Sequence, residues 1–158
     1  MIFVVLGTWE MPFVRPLAEI EQATTNGAIK EPIIVQCGKT VYESPRMTLV
    51  PFFDTQALEA MYGRASLIIS QAGIGSIMTG LRMHKKVIAI ARRRMYDEHI
   101  DDHQLEILDV FSKTGAILPW RGEGDLESVL AKAPQFAPTP YLFTEERISD
   151  AILEYLAN

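Results

Sequence analysis

Short apolar runs alternate along the chain with longer segments in which apolar residues recur at helical spacing. Continuous β-branched and aromatic residues are typical of buried strands, and six runs fit that description. They are IFVVLG, PIIVQCG, TLVPFF, SLIIS, KVIAIA and AILPW. Between the first two, Phe13, Leu17 and Ile20 return at the spacing of one helix face. Strands that alternate with helices predict a parallel sheet covered on both faces.

Helices are predicted in the segments between and after these strands. The expected ranges are 12–23, 55–65, 76–83, 102–113, 126–133 and 145–156. Asp54 precedes the second range as a candidate N-cap, because a short carboxylate accepts hydrogen bonds from free backbone amides. The pattern therefore predicts an α/β fold. We expect a single Rossmann-like domain over residues 1–158, with a mostly parallel sheet of about six strands and a C-terminal helix within 144–158.

Composition limits the class of protein. The 158 residues are 48% hydrophobic, which is enough for one domain with a core. A net charge of -5 gives no general attraction to nucleic acid or to an anionic membrane. Every apolar run is far shorter than the roughly 20 residues of a membrane span, and the N-terminus lacks a signal pattern. Cys37 is the single cysteine, which suits a reducing compartment, and we expect a cytoplasmic protein without a nucleic-acid partner.

The loop after the first strand is the first candidate site. Ligands of open α/β sheets bind outside the carboxyl ends of the strands, so loops that follow strands are the places to search. Gly7 allows the backbone to approach a ligand closely, and Thr8 adds a hydroxyl. An ordinary tight turn explains this loop equally well.

The second candidate is the loop SQAGIGS after the fourth strand. Gly73 and Gly75 permit a turn that aims the free amides of the next helix at an anion such as a phosphate. The next glycine, Gly80, does not complete a dinucleotide fingerprint, and no Gly-Lys-Ser/Thr follows as in a Walker loop. A structural turn with Ser76 as the helix cap is the alternative.

The third candidate is the loop ARRRMYDEHIDDHQ after the fifth strand. His99 and His103 are four residues apart, with acidic residues around them, so a metal site is one interpretation. A surface of carboxylates and amides that binds the hydroxyls of a sugar is the rival interpretation. Arg92, Arg93 and Arg94 are either solvated or supply positive charge to a diphosphate or to a sugar carboxylate.

The two later loops together resemble a known family. The stretch QAGIGSIMTGLRMHKKVIAIARRRMYDEHIDDHQLEI is similar to the C-terminal domain of family 28 glycosyltransferases. In that family Ser-His-Ala-Gly-x-Gly-Ser precedes a helix, a Gly-Lys-Pro and a strand, and a later loop ends in Asp-His-Gln. The opening FVVLGTWEMPFVRPL is also similar to it. The likeness is greatest to the small subunits of bacterial exopolysaccharide transferases, and next to the catalytic half of the eukaryotic split GlcNAc transferase.

The resemblance implies the C-terminal half of a GT-B glycosyltransferase, the half that binds a UDP-sugar. It places Gly73, Gly75 and Ser76 around the diphosphate, and Thr79 where many relatives have a ribose-binding glutamate. Gln71 stands where the family usually has histidine. The implied donor-binding set is Gly7, Thr8, Gln71, Gly73, Gly75, Ser76, Thr79, Arg92, Glu98, His99, Asp102, His103 and Gln104.

The expected function is that of the donor-binding subunit of an inverting, metal-independent UDP-sugar glycosyltransferase. It would extend a lipid-linked saccharide in bacterial exopolysaccharide or capsule synthesis, with UDP-sugar as substrate and no cofactor. The resemblance implies a membrane-associated partner that binds the acceptor and supplies the general base, and a location at the inner face of the membrane through that partner. A non-catalytic activator subunit and a metal-dependent hydrolase using His99 and His103 are the alternatives.

Overall fold

A computed structural model describes residues 1–122 and 124–140 of the chain. The strands in this part are β1 (Ile2–Val5), β2 (Ile33–Gln36), β3 (Met47–Val50), β4 (Leu67–Gln71), β5 (Val87–Ile90) and β6 (Leu118–Trp120). The helices are α1 (Arg15–Thr25), α2 (Thr55–Arg64), α3 (Ile74–Arg82), α4 (His103–Lys113) and α5 (Leu126–Lys132), with a 3-10 turn at Arg94–Tyr96. The predicted helix from Glu145 to Leu156 lies outside the described residues.

The strands form one sheet in the order β3-β2-β1-β4-β5-β6, and every neighbouring pair is parallel. Strand β1 is central, with Ile2 aligned to Ile33 of β2 on one side and to Leu67 of β4 on the other. Strands β2 and β3 follow β1 on one side of it, and strands β4, β5 and β6 follow one another on the other side. The predicted α/β fold is therefore confirmed, and the strand order defines a topological switch point between β1 and β4.

Successive side chains of the sheet pack into two separate apolar layers. Val4 of β1 lies in the layer that α1 and α5 cover, together with the fully buried Trp120. Phe3 lies in the opposite layer, where α2, α3 and α4 pack. Because both faces are covered, the strands have continuous apolar sequences rather than alternating ones. None of the helices within the described ranges is long and apolar enough to cross a membrane.

Several element boundaries follow from single interactions. Asp54 caps α2 as predicted, since its carboxylate accepts a hydrogen bond of 2.8 Å from the Ala57 amide. Helix α1 begins at Arg15 and not at Pro12, because the amide of Phe13 donates to the hydroxyl of Thr40 at 3.0 Å and holds the preceding segment outside the helix. Strand β3 ends before Pro51, which has no amide to continue the ladder.

Gly80 of α3 lies against β5 and provides a test of this packing. A methyl group at Gly80 would place Cβ 2.7 Å from Cγ2 of Val87, a buried β-branched side chain. We expect Gly80→Ala to lower the free energy of unfolding by about 1 kcal/mol or more, since overpacking outweighs the gain in helix propensity. Urea unfolding measures the effect.

Gly75→Ala in the same helix is the matched control. A Cβ at Gly75 meets no atom within 4 Å, so its unfolding free energy should stay unchanged or rise slightly. Equal stabilities for the two variants would contradict the described packing of α3 on β5.

Candidate functional site

The loops after β1 and β4 form a cleft of about 310 Å³ at the switch point of the sheet. The cleft contains seven of the predicted donor-binding residues: Gly7, Thr8, Gln71, Gly73, Gly75, Ser76 and Thr79. They come from two segments more than sixty residues apart in sequence. The structure therefore brings the first two candidate loops into one site.

The backbone of the first loop approaches the fourth strand very closely at Gly7. Gly7 has a φ of 77°, and a Cβ there would lie only 1.9 Å from Nε2 of Gln71. Gly38 packs from the other side, where a Cβ would lie 2.5 Å from the carbonyl oxygen of Gly7. Only glycine fits at Gly7, because its φ is positive and a side chain would displace Gln71.

The N-terminus of α3 opens on this cleft without a capping side chain. Gly73 is the N-cap residue and α3 begins at Ile74, so the alternative that Ser76 caps the helix is wrong. The first backbone amides of a helix have no partner within it, and together with the helix dipole they favour an anion. Thr79 lies one turn further along and uses its hydroxyl on the carbonyl of Gly75 at 2.8 Å.

Four more residues line the cleft, and sequence reasoning missed them: Val5, Gln36, Leu58 and Tyr62. Gln36 is the last residue of β2, and its side-chain oxygen accepts the amide of Phe53 at 3.1 Å. A polar residue at the carboxyl end of a buried strand was the available signal. Tyr62 donates to the carbonyl of Ser76 at 3.1 Å, and burial raises its pKa to about 12, so it remains a neutral donor.

Arg92, which follows β5, is only 1% exposed and lies inside the protein. Its Nε donates to Oε1 of Gln71 at 2.8 Å, and its Nη2 donates to the carbonyl of Leu6 at 2.9 Å. Its Nη1 donates to the carbonyls of Met11 at 2.7 Å and Glu98 at 3.0 Å. The guanidinium thus contacts the loops after β1 and β5 and the last residue of β4.

Glu98 is also buried, and its carboxylate is already bound by protein groups. Arg15 donates to both of its oxygens, at 2.9 and 2.7 Å, and the amide of Arg93 donates to one of them at 2.9 Å. Arg15 also donates to the carbonyl of Ala91 at 2.9 Å. This ion pair joins the start of α1 to the loop after β5, so the geometry suits Glu98 for holding that loop.

The Asp-Asp-His-Gln segment at the start of α4 contains both exposed and buried residues. The carboxylate of Asp102 is 45% exposed and accepts from Nε of Arg93 at 3.2 Å and from the amide of Arg94 at 3.0 Å. The bond from the Arg94 amide is the main cause of the lowered pKa of Asp102. Gln104 is buried, and its oxygen accepts the amide of Arg92 at 3.0 Å.

His99 and His103 lie side by side around Asp101. Their ring centroids are 4.6 Å apart, and Nδ1 of each histidine contacts the same oxygen of Asp101, at 3.1 Å in the case of His99. The exposed Trp9, which sequence reasoning missed, stacks on His99 with centroids 4.6 Å apart. Burial, followed by the neighbouring His103, lowers the pKa of His99, which favours its neutral form at pH 7.

These three side chains are close enough for a metal ion, since one ligand atom from each lies within 4.8 Å of the others. In the structure the ring and the backbone amide of His103 bond to the Asp101 carboxylate, and the amide of Asp101 donates to Nδ1 of His99. This cluster fits both predicted interpretations, a metal site and a polar surface that binds hydroxyls.

The fold and the cleft define a class of protein: a Rossmann-like domain with an uncapped helix N-terminus at the switch point of its sheet. The sequence matches the Glycosyltransferase family 28 C-terminal domain over residues 1–148, and the chain belongs to this family. The predicted resemblance is therefore confirmed.

Individual relatives agree with this assignment. UDP-N-acetylglucosamine transferase subunit ALG13 of Yarrowia lipolytica (strain CLIB 122 / E 150) is 31% identical over 83 residues, 52% of this chain and 39% of that protein. The NMR solution structure of ALG13 matches with a TM-score of 0.59 at 19% identity, over 99% of this chain and 96% of that chain. Acinetobacter baumannii MurG matches with a TM-score of 0.55 at 17% identity, over 84% of this chain and 40% of that chain. The domain has the fold of the C-terminal half of GT-B glycosyltransferases.

The ion pair between Arg15 and Glu98 generates a stability prediction. Arg15→Met leaves the buried Glu98 carboxylate without its cation, and we expect the free energy of unfolding to fall by about 3 kcal/mol. Urea unfolding at pH 7 checks the value.

Arg121→Met is the control, because it removes an ion pair with Asp109 in which both side chains are about half exposed. Its expected cost is below about 1 kcal/mol. Equal losses in the two variants would contradict a structural role for the Arg15–Glu98 pair.

Proposed function

We propose that this chain binds the UDP-sugar donor of an inverting, metal-independent glycosyltransferase. It would act with a membrane-associated partner that binds a lipid-linked saccharide acceptor, in bacterial exopolysaccharide or capsule synthesis. The observation that carries the proposal is the uncapped N-terminus of α3, which opens on a glycine-lined cleft at the switch point of the sheet. The place of action would be the cytoplasmic face of the membrane, through the partner.

The charges around the cleft favour an anionic ligand. Among the described residues that line it, there is no aspartate or glutamate. The positive end of the α3 dipole and the buried Arg92 behind Gln71 both favour negative charge. A diphosphate fits these groups, and the hydroxyls of a nucleotide sugar fit the polar residues Thr8 and Thr79 at the same cleft.

The need for a partner is supported by the surface around the cleft. Large apolar side chains are exposed after the carboxyl ends of the strands, in the case of Ile74 at the first residue of α3: Trp9, Phe52, Ile74, Met95 and Ile100. Exposed apolar groups at one edge of a sheet are typical of an interaction surface. The ALG13 relative is named as a transferase subunit, and 84% of this chain matches 40% of the MurG chain.

The proposed reaction is a displacement at the anomeric carbon. The acceptor hydroxyl attacks that carbon from the face opposite to UDP, the glycosidic bond to the diphosphate breaks, and the configuration inverts. The partner supplies the base that takes the hydroxyl proton. This chain contributes by stabilising the negative charge that develops on the departing UDP, through the amides of α3 and the side-chain donor of Gln71.

Gly75→Ala tests the donor site without disturbing the free protein. A methyl group at Gly75 meets no neighbouring atom in the unliganded chain, whereas it obstructs close approach of a phosphate to the helix amides. We expect calorimetry to show metal-free UDP binding to the chain or to its complex. The variant should bind at least about tenfold more weakly, a difference of ~1.4 kcal/mol.

Gly63→Ala in α2 is a control outside the lining of the cleft, since Gly63 has no positive φ and a Cβ there meets only Cε of Met83 at 3.7 Å, an ordinary contact. Unchanged UDP affinity in this control shows that weaker binding by Gly75→Ala arises at the cleft and not from a poorly folded variant. Absence of UDP binding to both the chain and its complex would overturn the proposed function.

The metal-dependent hydrolase is the second candidate, because His99, Asp101 and His103 lie within ligand distance. We expect EDTA to leave UDP affinity unchanged. We also expect no metal-dependent hydrolytic activity in the wild-type chain, and therefore no loss of such activity in His103→Asn. Activity of the chain alone on a UDP-sugar, abolished by EDTA and restored by zinc, would instead establish the hydrolase.

The non-catalytic activator is distinguished by assays of the co-purified complex. If this chain binds the donor, Gly75→Ala lowers the transfer activity of the complex while the complex still assembles. If it is only an activator, the activity stays unchanged. The same complex serves for a screen of UDP-sugars, which identifies the transferred sugar.

A further inference from the structure

Arg92 combines three properties that a residue in direct contact with the donor would not need. It is only 1% exposed, its side chain bonds to the loops after β1 and β5 and to the end of β4, and these hydrogen-bond partners are all neutral. We propose that Arg92 is a positioning residue, which acts through Gln71 and fixes the side-chain amide group of Gln71 towards the diphosphate. This inference rests on the proposed function, because it assumes that the cleft binds the donor.

The first step is the orientation of the Gln71 carboxamide. A guanidinium has only donors, so the atom that accepts from Nε of Arg92 must be the oxygen of Gln71. The NH₂ group of Gln71 therefore points away from Arg92. Its nitrogen lies 1.9 and 3.1 Å from the Cβ positions that side chains at Gly7 and Gly73 would occupy. The NH₂ group of Gln71 thus lies between Gly7 and Gly73, which line the cleft.

The second step is that this NH₂ group is unused. Within residues 1–122 and 124–140, Nε2 of Gln71 has no hydrogen-bond partner, although Oε1 is bonded to Arg92. A polar donor that faces a cleft and lacks a protein partner is available to a ligand. Its neighbours, the first amides of α3, are donors as well, so one anion can accept from both.

The positive charge of Arg92 also favours an anion in the cleft. No carboxylate forms an ion pair with Arg92 in the described part of the chain, since the Glu98 carboxylate pairs with Arg15 and only the carbonyl of Glu98 accepts from Arg92. The guanidinium also lies over the ring of Phe13, 4.6 Å from its centroid. Burial lowers the pKa of Arg92 to about 10, which still leaves it charged at pH 7. The Glu98 charge opposes this lowering from a distance, but Arg92 forms no direct ion pair with a described residue, so its charge also stabilises an anion bound nearby.

The experiment measures UDP affinity and unfolding free energy together for the wild type, Gln71→Glu, Arg92→Lys and Arg15→Lys, in the chain or its complex. Gln71→Glu gives Arg92 a carboxylate partner and removes the NH₂ donor. We expect its stability to be unchanged or increased, and its UDP affinity to fall at least about tenfold. A purely structural role would not separate the two quantities in opposite directions.

Arg92→Lys and Arg15→Lys are the matched pair, since Arg92 is buried, Arg15 is mostly buried, and both donate to Glu98 in the loop after β5. A lysine cannot reproduce the planar set of donors, so both variants should lose stability. Only Arg92→Lys releases Gln71, so only this variant should also lose UDP affinity by about tenfold or more.

The outcomes separate this inference from the proposed function. A wild type that does not bind UDP overturns the proposed function and this inference with it. A wild type that binds UDP, together with a Gln71→Glu variant of unchanged affinity, overturns the inference alone. If Arg92→Lys does not fold, the Gln71→Glu result still decides.

Discussion

The site depends on one buried guanidinium. The side chain of Arg92 donates to Leu6 and Met11 after β1, to Gln71 at the end of β4, and to Glu98 in the loop before α4. These segments are distant in the sequence and meet only because β1, β4 and β5 are neighbours in the sheet. A single planar group with five donors can satisfy several carbonyls at once, which an ammonium group cannot do.

The sheet places the Arg92 guanidinium beside the cleft at its switch point. The order of the strands reverses between β1 and β4, so helices from the two halves diverge and leave a cleft above their carboxyl ends. Because Gly7 has no side chain, the loop after β1 can approach Gln71 of β4 closely, and the free amides of α3 face the cleft. A buried cation normally costs stability unless it is paired. Here neutral carbonyls and an amide oxygen partly offset that cost, and the remaining positive charge favours an anionic donor.

Much of this architecture was predictable from the sequence. Continuous apolar strands separated by helical segments predict the covered parallel sheet, and the pair Gly73 and Gly75 predicts the turn into α3. The Asp-His-Gln element led to the family, which the match over residues 1–148 confirms. These features are local in sequence, and local patterns determine elements and their order well.

The roles of individual side chains were less predictable, because they depend on contacts across the sheet. The triplet Arg92, Arg93 and Arg94 looks uniform in sequence, yet the first is buried, the second pairs with Asp102 and the third is exposed. Nothing local indicated that Arg15 would pair with Glu98, eighty-three residues away. Gln36 and Tyr62 were also missed, because the packing of strands and helices, and not the local sequence, places them in the cleft. Direct contacts of the donor with Asp102 and His103 stay predictions.

In the proposed function, the cleft at the switch point binds the donor nucleotide. The most direct measurement is titration of the ¹⁵N-labelled chain with UDP in the absence of metal, followed by amide NMR spectra. We expect saturable shifts at Gly7, Thr8, Gly73, Gly75 and Ser76, and at the side-chain amide of Gln71. Shifts confined to the segment around His99, Asp101 and His103, or no shifts at all, would contradict it.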